Sequence, residues 1–126
     1  MLDATVRFAV PGPPMPKERA RVVLRRDRAH ASTPKRTASW ERTVATYALE
    51  ARQRAPAWSL AARYAVEIHA YRAGRFDLDN VIKSAHDGCT GILWKDDAQV
   101  VEIHAHREEG DGEGERLVMM VAPVSA

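Results

Sequence analysis

The apolar residues of this chain recur with two different periods, and the order of these periods limits the fold. Four runs alternate apolar with polar or small side chains, as half-buried strands do. They span residues 6–10, 62–72, 98–107 and 116–121. A short apolar run at 21–26 predicts one more strand, whereas the polar stretch 27–32 predicts a loop. Two runs with helical spacing lie between the strands. The order strand, strand, helix, strand, helix, strand, strand predicts an α+β fold, with a mixed β-sheet packed by two main helices.

Both helices have recognisable start signals. In the first, Ser32 or Thr33 can act as N-cap with Pro34 at the first helical position, and apolar residues then follow at helical spacing until Pro56. The second helix is predicted to begin at Asp77 or Asp79. It should end near Gly88 and Gly91.

The size and cysteine content indicate an ordinary small protein. A chain of 126 residues with 45% hydrophobic residues is expected to form one domain, residues 1–126. Its single cysteine, Cys89, allows no intrachain disulfide, which is typical of a reducing compartment, so a cytoplasmic location is expected. The apolar run near the N-terminus is too short and too polar for a signal peptide or membrane span, so no membrane association is expected.

Charge is distributed unevenly along the chain. Residues 1–54 contain 12 Lys and Arg against 5 Asp and Glu, a net charge of +7. Residues 55–126 contain 7 against 12, a net charge of −5. A basic surface beside a carboxylate cluster suits a nuclease that uses a metal, although charged residues more often form solvated faces.

Two groups of aspartates flank the short second helix. Asp77 and Asp79 precede or begin it, and Asp96 and Asp97 follow it. Mg²⁺ prefers oxygen ligands and is often held by a few carboxylates, so Asp77, Asp79 and Asp97 form a candidate metal site. This site requires Asp97 to reach the same edge of the sheet as Asp79. The alternative is that one aspartate caps the helix and the Asp-Asp pair lies in a solvated turn.

Lys83 lies one helical turn after Asp79. This spacing is compatible with an ordinary Asp–Lys pair on a helix surface. It is equally compatible with a cation that stabilises charge on a phosphate during cleavage. Two further positions have two interpretations each: Asp96 can orient Asp97 or a metal-bound water or simply serve a turn, and Asn80 can contact DNA or serve the helix start.

Five ordered segments of the chain together resemble the RusA family of Holliday-junction resolvases. They are Val10-Pro11-Gly12-Pro13-Pro14-Met15-Pro16-Lys17, Thr33-Pro34-Lys35, Asp77-Leu78-Asp79-Asn80 with Lys83, Asp87, and Trp94-Lys95-Asp96-Asp97-Ala98-Gln99-Val100. The resemblance implies a homodimeric endonuclease that makes paired cuts in four-way DNA junctions with Mg²⁺ or Mn²⁺. It also implies that Asp77, Asp79 and Asp97 bind the metal and that Lys83 takes part in catalysis.

Basic residues concentrated before and at the first helix form the candidate DNA-backbone surface. They are Lys17, Arg19, Arg21, Arg25, Arg26, Arg28, Lys35 and Arg36. Taken alone, such a stretch would more often be a solvated loop.

Other chemically distinctive residues have simpler interpretations. Cys89 lies on the apolar side of its helix and is predicted to be a core residue. His104 and His106 are not expected to bind Mg²⁺, because this ion prefers oxygen ligands. The tryptophans are predicted to be core or dimer-interface residues. They are Trp40, Trp58 and Trp94.

Three competing functions stay open at the level of sequence. The Asp77-to-Val81 segment also matches the opening motif of haloacid-dehalogenase-type phosphatases, although residues 71–76 do not resemble the buried strand that this motif follows. A metal-dependent nuclease that acts on other DNA structures would share the same residues. A non-catalytic DNA-binding module, in which the carboxylates serve folding, is the third alternative.

Overall fold

The computed structural model describes residues 5–18, 21–25, 28–32 and 34–124, with the two short segments 21–25 and 28–32 described by their backbone only. In chain order the elements are β1 Val6–Pro11, β2 Arg21–Arg25, β3 Arg28–Ser32, α1 Lys35–Gln53, β4 Tyr64–Tyr71, α2 Leu78–Cys89, a 3₁₀ turn Asp97–Gln99, β5 Val100–Glu108 and β6 Arg116–Pro123. Neither of the two described helices is long and apolar enough to cross a membrane.

The main sheet has four strands in the order β1-β6-β4-β5. β6 pairs antiparallel with both β1 and β4, whereas β4 and β5 are parallel. The sheet is therefore mixed, and with its two helices it confirms the predicted α+β class. β2 and β3 form a separate antiparallel hairpin.

Two local predictions were wrong. The polar stretch predicted as a loop contains β3, whose backbone pairs along its whole length with β2. Polar residues can form a strand when a neighbouring strand satisfies their backbone groups, and periodicity does not reveal this pairing. Helix α1 begins at Lys35 with Pro34 as the N-cap residue and no side-chain capping bond, while Ser32 ends β3. Thr33 lies outside the described residues.

The core lies between one face of the sheet and the two helices. α1 packs mainly on β1 and on α2, and α2 reaches β4 and β5. Trp40, Trp94 and Cys89 are buried there, as predicted, and Trp58 packs against the core from its margin. Burial raises the pKa of the Cys89 thiol, so this residue is an inert core side chain.

The parallel pairing of β4 with β5 determines where α2 runs. Two parallel neighbours require a crossover that returns the chain to the end of the sheet where the first strand began. α2 with its flanking loops makes this crossover. α2 therefore starts near the end of β4 and ends near its beginning. Two contacts of Arg107 attach the end of β5 to the loop before α2: its guanidinium donates to Gly74 O at 2.8 Å and lies 4.5 Å from the Phe76 ring centre.

Gly88 lies where α2 crosses α1 most closely. A Cβ atom at this position would lie 2.8 Å from Cβ and Cγ1 of Val44 and 2.9 Å from the backbone oxygen of Glu41. The backbone atom cannot move without shifting α1, so this contact requires glycine.

We expect Gly88→Ala to lower the free energy of unfolding. Overpacking costs about 1–3 kcal/mol, whereas alanine recovers about 1 kcal/mol of helix propensity, so the steric cost should prevail. Chemical denaturation measures the change. Gly110→Ala is the control, because a Cβ atom there would meet no heavy atom within 4 Å beyond its chain neighbours. Equal stability of the two variants would contradict the close helix contact.

Candidate active site

Asp77 is the N-cap residue of α2. Its Oδ1 accepts the backbone N–H of Asp79 at 3.1 Å, and its Oδ2 accepts the side-chain amide of Asn80 at 2.9 Å. Within the chain, Asp77 therefore acts as a helix cap, and Asn80 stabilises the start of the helix by its hydrogen bond to Asp77.

Asp79 and Lys83 lie on the exposed side of the first turns of α2. The carboxylate Oδ2 of Asp79 is 3.8 Å from Nζ of Lys83, and the two side chains are 76% and 60% exposed. Such an exposed pair adds little stability, so both groups stay available to a ligand. The positive end of the helix dipole also favours an anionic group here.

The proline-rich segment after β1 is attached to the same half of α2. The Ser84 hydroxyl donates to Met15 O at 2.6 Å, and Lys17 N donates to Asn80 O at 2.8 Å. Arg72, in the loop after β4, donates to Pro14 O at 2.6 Å. Through these contacts the proline-rich segment fixes the position of the first half of α2, where Asp77 and Asp79 lie. The contribution of Ser84 could not be read from the periodicity of the sequence.

Asp97 is held at the other end of α2. Its Oδ1 lies 2.7 Å from the hydroxyl of Thr90, the C-cap residue of the helix. That hydroxyl also lies 2.9 Å from His86 O and accepts the Trp94 indole N–H at 3.1 Å. Since a hydroxyl has one proton, Thr90 can donate to only one of the two oxygens at a time. Sequence reasoning missed Thr90, because its role depends on the return of the chain after Trp94.

Asp96 is a structural cap of the 3₁₀ turn. Its side chain accepts Ala98 N–H at 2.8 Å, and Gln99 Oε1 accepts the Asp96 N–H at 2.9 Å. Gln99 Nε2 donates to Leu60 O and Ala62 O, both at 2.8 Å, which attaches the turn to the segment before β4. The Asp-x-x-Gln spacing is a capping-box signal that the sequence already contained.

The aspartate groups therefore lie at opposite ends of α2. A helix of 12 residues is about 18 Å long, so Asp97 is far from Asp77 and Asp79 within one chain. The prediction that Asp97 reaches the same sheet edge as Asp79 was wrong for a single chain. The physical reason is the parallel β4–β5 pairing, which makes α2 run back from the end of β4 toward the beginning of β5. The metal-binding and catalytic roles of these residues stay predictions.

The chemistry of the carboxylates suits a hard divalent cation, but their arrangement within one chain does not. Exposed aspartate oxygens are ligands that Mg²⁺ accepts. Among the described side chains, however, no group of three or more His, Cys, Asp or Glu residues is placed to hold a metal ion. A site of three carboxylates is consequently incomplete in one chain.

The candidate DNA surface is described only in part. Lys35 and Arg36 are exposed at the first turn of α1, and Arg36 Nε lies 3.3 Å from Glu18 Oε1. Side chains of the other predicted members lie outside the described part of the chain, except for Lys17. Those members are Arg19, Arg21, Arg25, Arg26 and Arg28.

Lys17 has a structural role that the sequence did not indicate. Its ammonium lies 2.8 Å from Glu41 and 2.9 Å from Asp87, joining α1 to α2. Burial lowers the pKa of Lys17, but hydrogen bonds and charge attraction from Glu41 and Asp87 raise it by more, so its pKa lies above the usual value. DNA contact by Lys17 would compete with these two ion pairs.

His86 lies beside the Asp97 end of α2 and is 9% exposed. Its Nε2 has no hydrogen-bond partner among the described atoms, and its ring makes an edge contact with Trp94. Burial lowers the pKa of His86, a shift that the negative charges of Asp97 and Asp87 oppose but do not cancel. His86 is therefore neutral at neutral pH.

We expect the contribution of His86 to stability to decrease as the pH falls through the region below 6.5, the ordinary pKa of histidine, because burial lowers the pKa of this residue. There the unfolded chain binds a proton at His86 before the folded chain does, which favours unfolding. His86→Gln should reduce the difference in unfolding free energy between about pH 7.5 and about pH 5, whatever its effect at either pH alone. His104→Gln, at an exposed position, is the control. If His86→Gln leaves the difference in unfolding free energy between the two pH values unchanged, the lowered pKa of His86 is wrong.

Comparison with known proteins agrees with the sequence resemblance. The sequence model of the RusA endodeoxyribonuclease family matches residues 11–121, which is nearly the whole chain. A search of curated proteins found no match. The matched region includes the proline-rich segment, both helices and all the aspartates discussed above. The chain therefore belongs to the RusA family of endodeoxyribonucleases.

Proposed function

We propose that this protein is a divalent-metal-dependent endodeoxyribonuclease that resolves four-way DNA junctions by paired phosphodiester hydrolysis, acting as a homodimer in the cytoplasm. The observation that carries the proposal is the family match over residues 11–121. Mg²⁺ is the proposed metal, with Mn²⁺ as a substitute, and Asp77, Asp79 and Asp97 are its proposed ligands.

The exposure of the candidate residues supports this proposal. Asp79 and Lys83 lie on an open surface that a DNA backbone can approach without rearrangement of the core. When bound by such carboxylates, a divalent metal supplies Lewis-acid catalysis of phosphodiester hydrolysis. The ammonium of Lys83 would offset negative charge that grows on the phosphate during the reaction.

The competing functions are less well supported. The phosphatase motif follows a buried parallel strand in a doubly wound fold, whereas Asp77 caps a helix six residues after β4 ends, beside a mixed four-stranded sheet. For a non-catalytic module, the exposed pair of Asp79 and Lys83 would have only a minor stabilising role. A nuclease that prefers other DNA structures is the alternative that substrate competition must decide.

We expect Asp79→Asn to abolish Mg²⁺-supported cleavage of a labelled four-way junction while leaving junction binding intact. The substitution removes the negative charge needed for a metal ligand but keeps the size of the side chain. Cleavage is measured by gel electrophoresis with Mg²⁺, Ca²⁺ or chelator, in competition with a matched duplex. Glu109→Gln, which neutralises an exposed carboxylate in the turn before β6, is the control and should cleave normally.

Each failure of that experiment has a defined meaning. Full activity of Asp79→Asn, with wild-type cleavage of the junction, would remove Asp79 from the site. Equal cleavage of duplex and junction would favour the alternative nuclease. Release of phosphate from small phosphomonoesters without DNA cleavage would revive the phosphatase alternative.

We expect the double variant Lys35→Ala/Arg36→Ala to bind all DNA substrates more weakly and to show a shallower salt dependence. Each lost phosphate contact should reduce the slope of log affinity against log salt concentration by about 1. Binding is measured by fluorescence anisotropy at several salt concentrations. Arg63→Ala, which removes an exposed charge before β4, is the control. An unchanged slope in the double variant would exclude this pair from the DNA surface.

A further inference from the structure

A groove lies between the proline-rich segment after β1 and the N-terminal half of α1, away from the carboxylates at the ends of α2. We call it the α1 groove. Its volume is about 460 Å³, within the range of about 300–1,000 Å³ that sites for small organic ligands occupy. An apolar wall faces one side of the helix across this groove. The main wall residues are Pro11, Pro13 and Met15 on one side, and Arg36, Ser39 and Trp40 on the other.

One end of the α1 groove is positively charged. Lys35 and Arg36 lie in the first turn of α1 and line the groove with exposed side chains. The helix has no side-chain cap and no acidic residue in its first turn, so its first N–H groups lack the acceptor that a capping side chain would supply. The positive end of the helix dipole lies at the same place. This end of the groove therefore favours an anion.

Trp40 contributes an unusual polar group beside the groove. The residue is 7% exposed, and its indole Nε1 has no hydrogen-bond partner among the described atoms. The other two indoles do have acceptors: Trp58 Nε1 donates to Leu93 O at 2.9 Å, and Trp94 Nε1 donates to Thr90 Oγ1 at 3.1 Å. A buried indole N–H normally has an acceptor, because leaving it unpaired is costly. Since Trp40 lines the groove, a ligand there can supply this acceptor.

A nucleotide has the chemistry that these features require together. Its phosphate suits the basic end of the groove, and its flat base suits the apolar wall. The carbonyl or ring-nitrogen acceptors of a base can pair with the Trp40 indole, whereas inorganic phosphate would satisfy the basic end alone. We propose that the α1 groove binds one unpaired nucleotide of a DNA strand, with the phosphate at the first turn of α1 and the base against Trp40. The assignment to DNA rests on the proposed function.

The position of the groove connects it to the exposed residues of α2. The proline-rich segment lines the groove on one side and binds α2 on the other, through Met15 O with Ser84 and through Lys17 N with Asn80 O. A single extended segment therefore separates the groove from the half of α2 that carries Asp79 and Lys83. An unpaired base costs least to remove from its stack, so the groove would favour DNA that contains unpaired nucleotides.

A titration followed by NMR tests the site without any cleavage. The ¹⁵N-labelled protein is titrated with dTMP, thymidine and inorganic phosphate. The Nε1–H signal of Trp40 should shift with dTMP, while those of Trp58 and Trp94, which are paired within the chain, should stay in place. Thymidine and inorganic phosphate should each bind about tenfold more weakly than dTMP. If dTMP leaves the Trp40 signal unchanged, the site is wrong, and equal affinity for dTMP and inorganic phosphate would overturn the placement of the base.

Three variants separate the parts of the site. Trp40→Phe removes the indole N–H, identifies its signal and should weaken dTMP binding about fivefold. Tyr47→Phe is the matched control, because it removes a polar group from α1 outside the groove lining. Glu18→Gln should tighten dTMP binding about threefold, because Glu18 Oε1 lies 3.3 Å from Arg36 Nε and competes with phosphate for the guanidinium. Weaker binding by Glu18→Gln would contradict the position of the phosphate.

The folding of Trp40→Phe is checked by circular dichroism, because the residue is buried. If this variant does not fold, Lys35→Ala/Arg36→Ala replaces it, since both side chains are exposed. The double variant should lose dTMP binding but keep the wild-type fold. Unchanged dTMP affinity in the variant that folds would overturn the site.

A DNA experiment distinguishes a DNA strand from a free nucleotide as the source of the ligand. Fluorescence anisotropy compares a duplex that contains one unpaired thymidine with a fully paired duplex. Wild type should prefer the first about fivefold, and Trp40→Phe should lose this preference. Binding of dTMP without this preference would overturn the assignment to DNA and leave a site for free nucleotides. If the junction is cleaved but dTMP does not bind, the groove is wrong and the proposed nuclease stands; if dTMP binds but no DNA is cleaved, the proposed function fails and the groove stands.

Discussion

The parallel pairing of β4 with β5 is the constraint on which the rest of the structure depends. A parallel pair requires a crossover, and in this chain the crossover contains one short helix. The residues before the helix must therefore lie at the end of β4, and the residues after it must lie at the opposite end of the sheet, where β5 begins. Asp77 and Asp97 are separated for this reason, although only a short segment of sequence lies between them.

The crossover helix is fixed by contacts from several parts of the chain. Gly88 allows α1 to approach closely, and Lys17 joins the two helices through Glu41 and Asp87. The proline-rich segment binds the first half of α2 through Ser84. Since so many contacts converge on α2, the carboxylates at its two ends have defined positions, and a change in the core would move both groups.

Asp79 and Lys83 are exposed near the start of α2, and Asp97 is exposed near its end. Within a single chain, exposed carboxylates at the two ends of a helix are too far apart to share a cation.

The sequence by itself determined the α+β class, most of the elements and the family, because these depend on local periodicity and motif order. It limited the start of α2 to Asp77 or Asp79, and the structure identifies Asp77 as the cap. The sequence did not reveal β3, whose backbone is satisfied by pairing with β2, or the ion pairs that occupy Lys17, since both depend on partners distant along the chain. Only the tertiary structure decided that Asp97 lies far from Asp79. Spacing along a chain limits how far apart two residues can be, but the direction in which the crossover helix returns determines whether they meet.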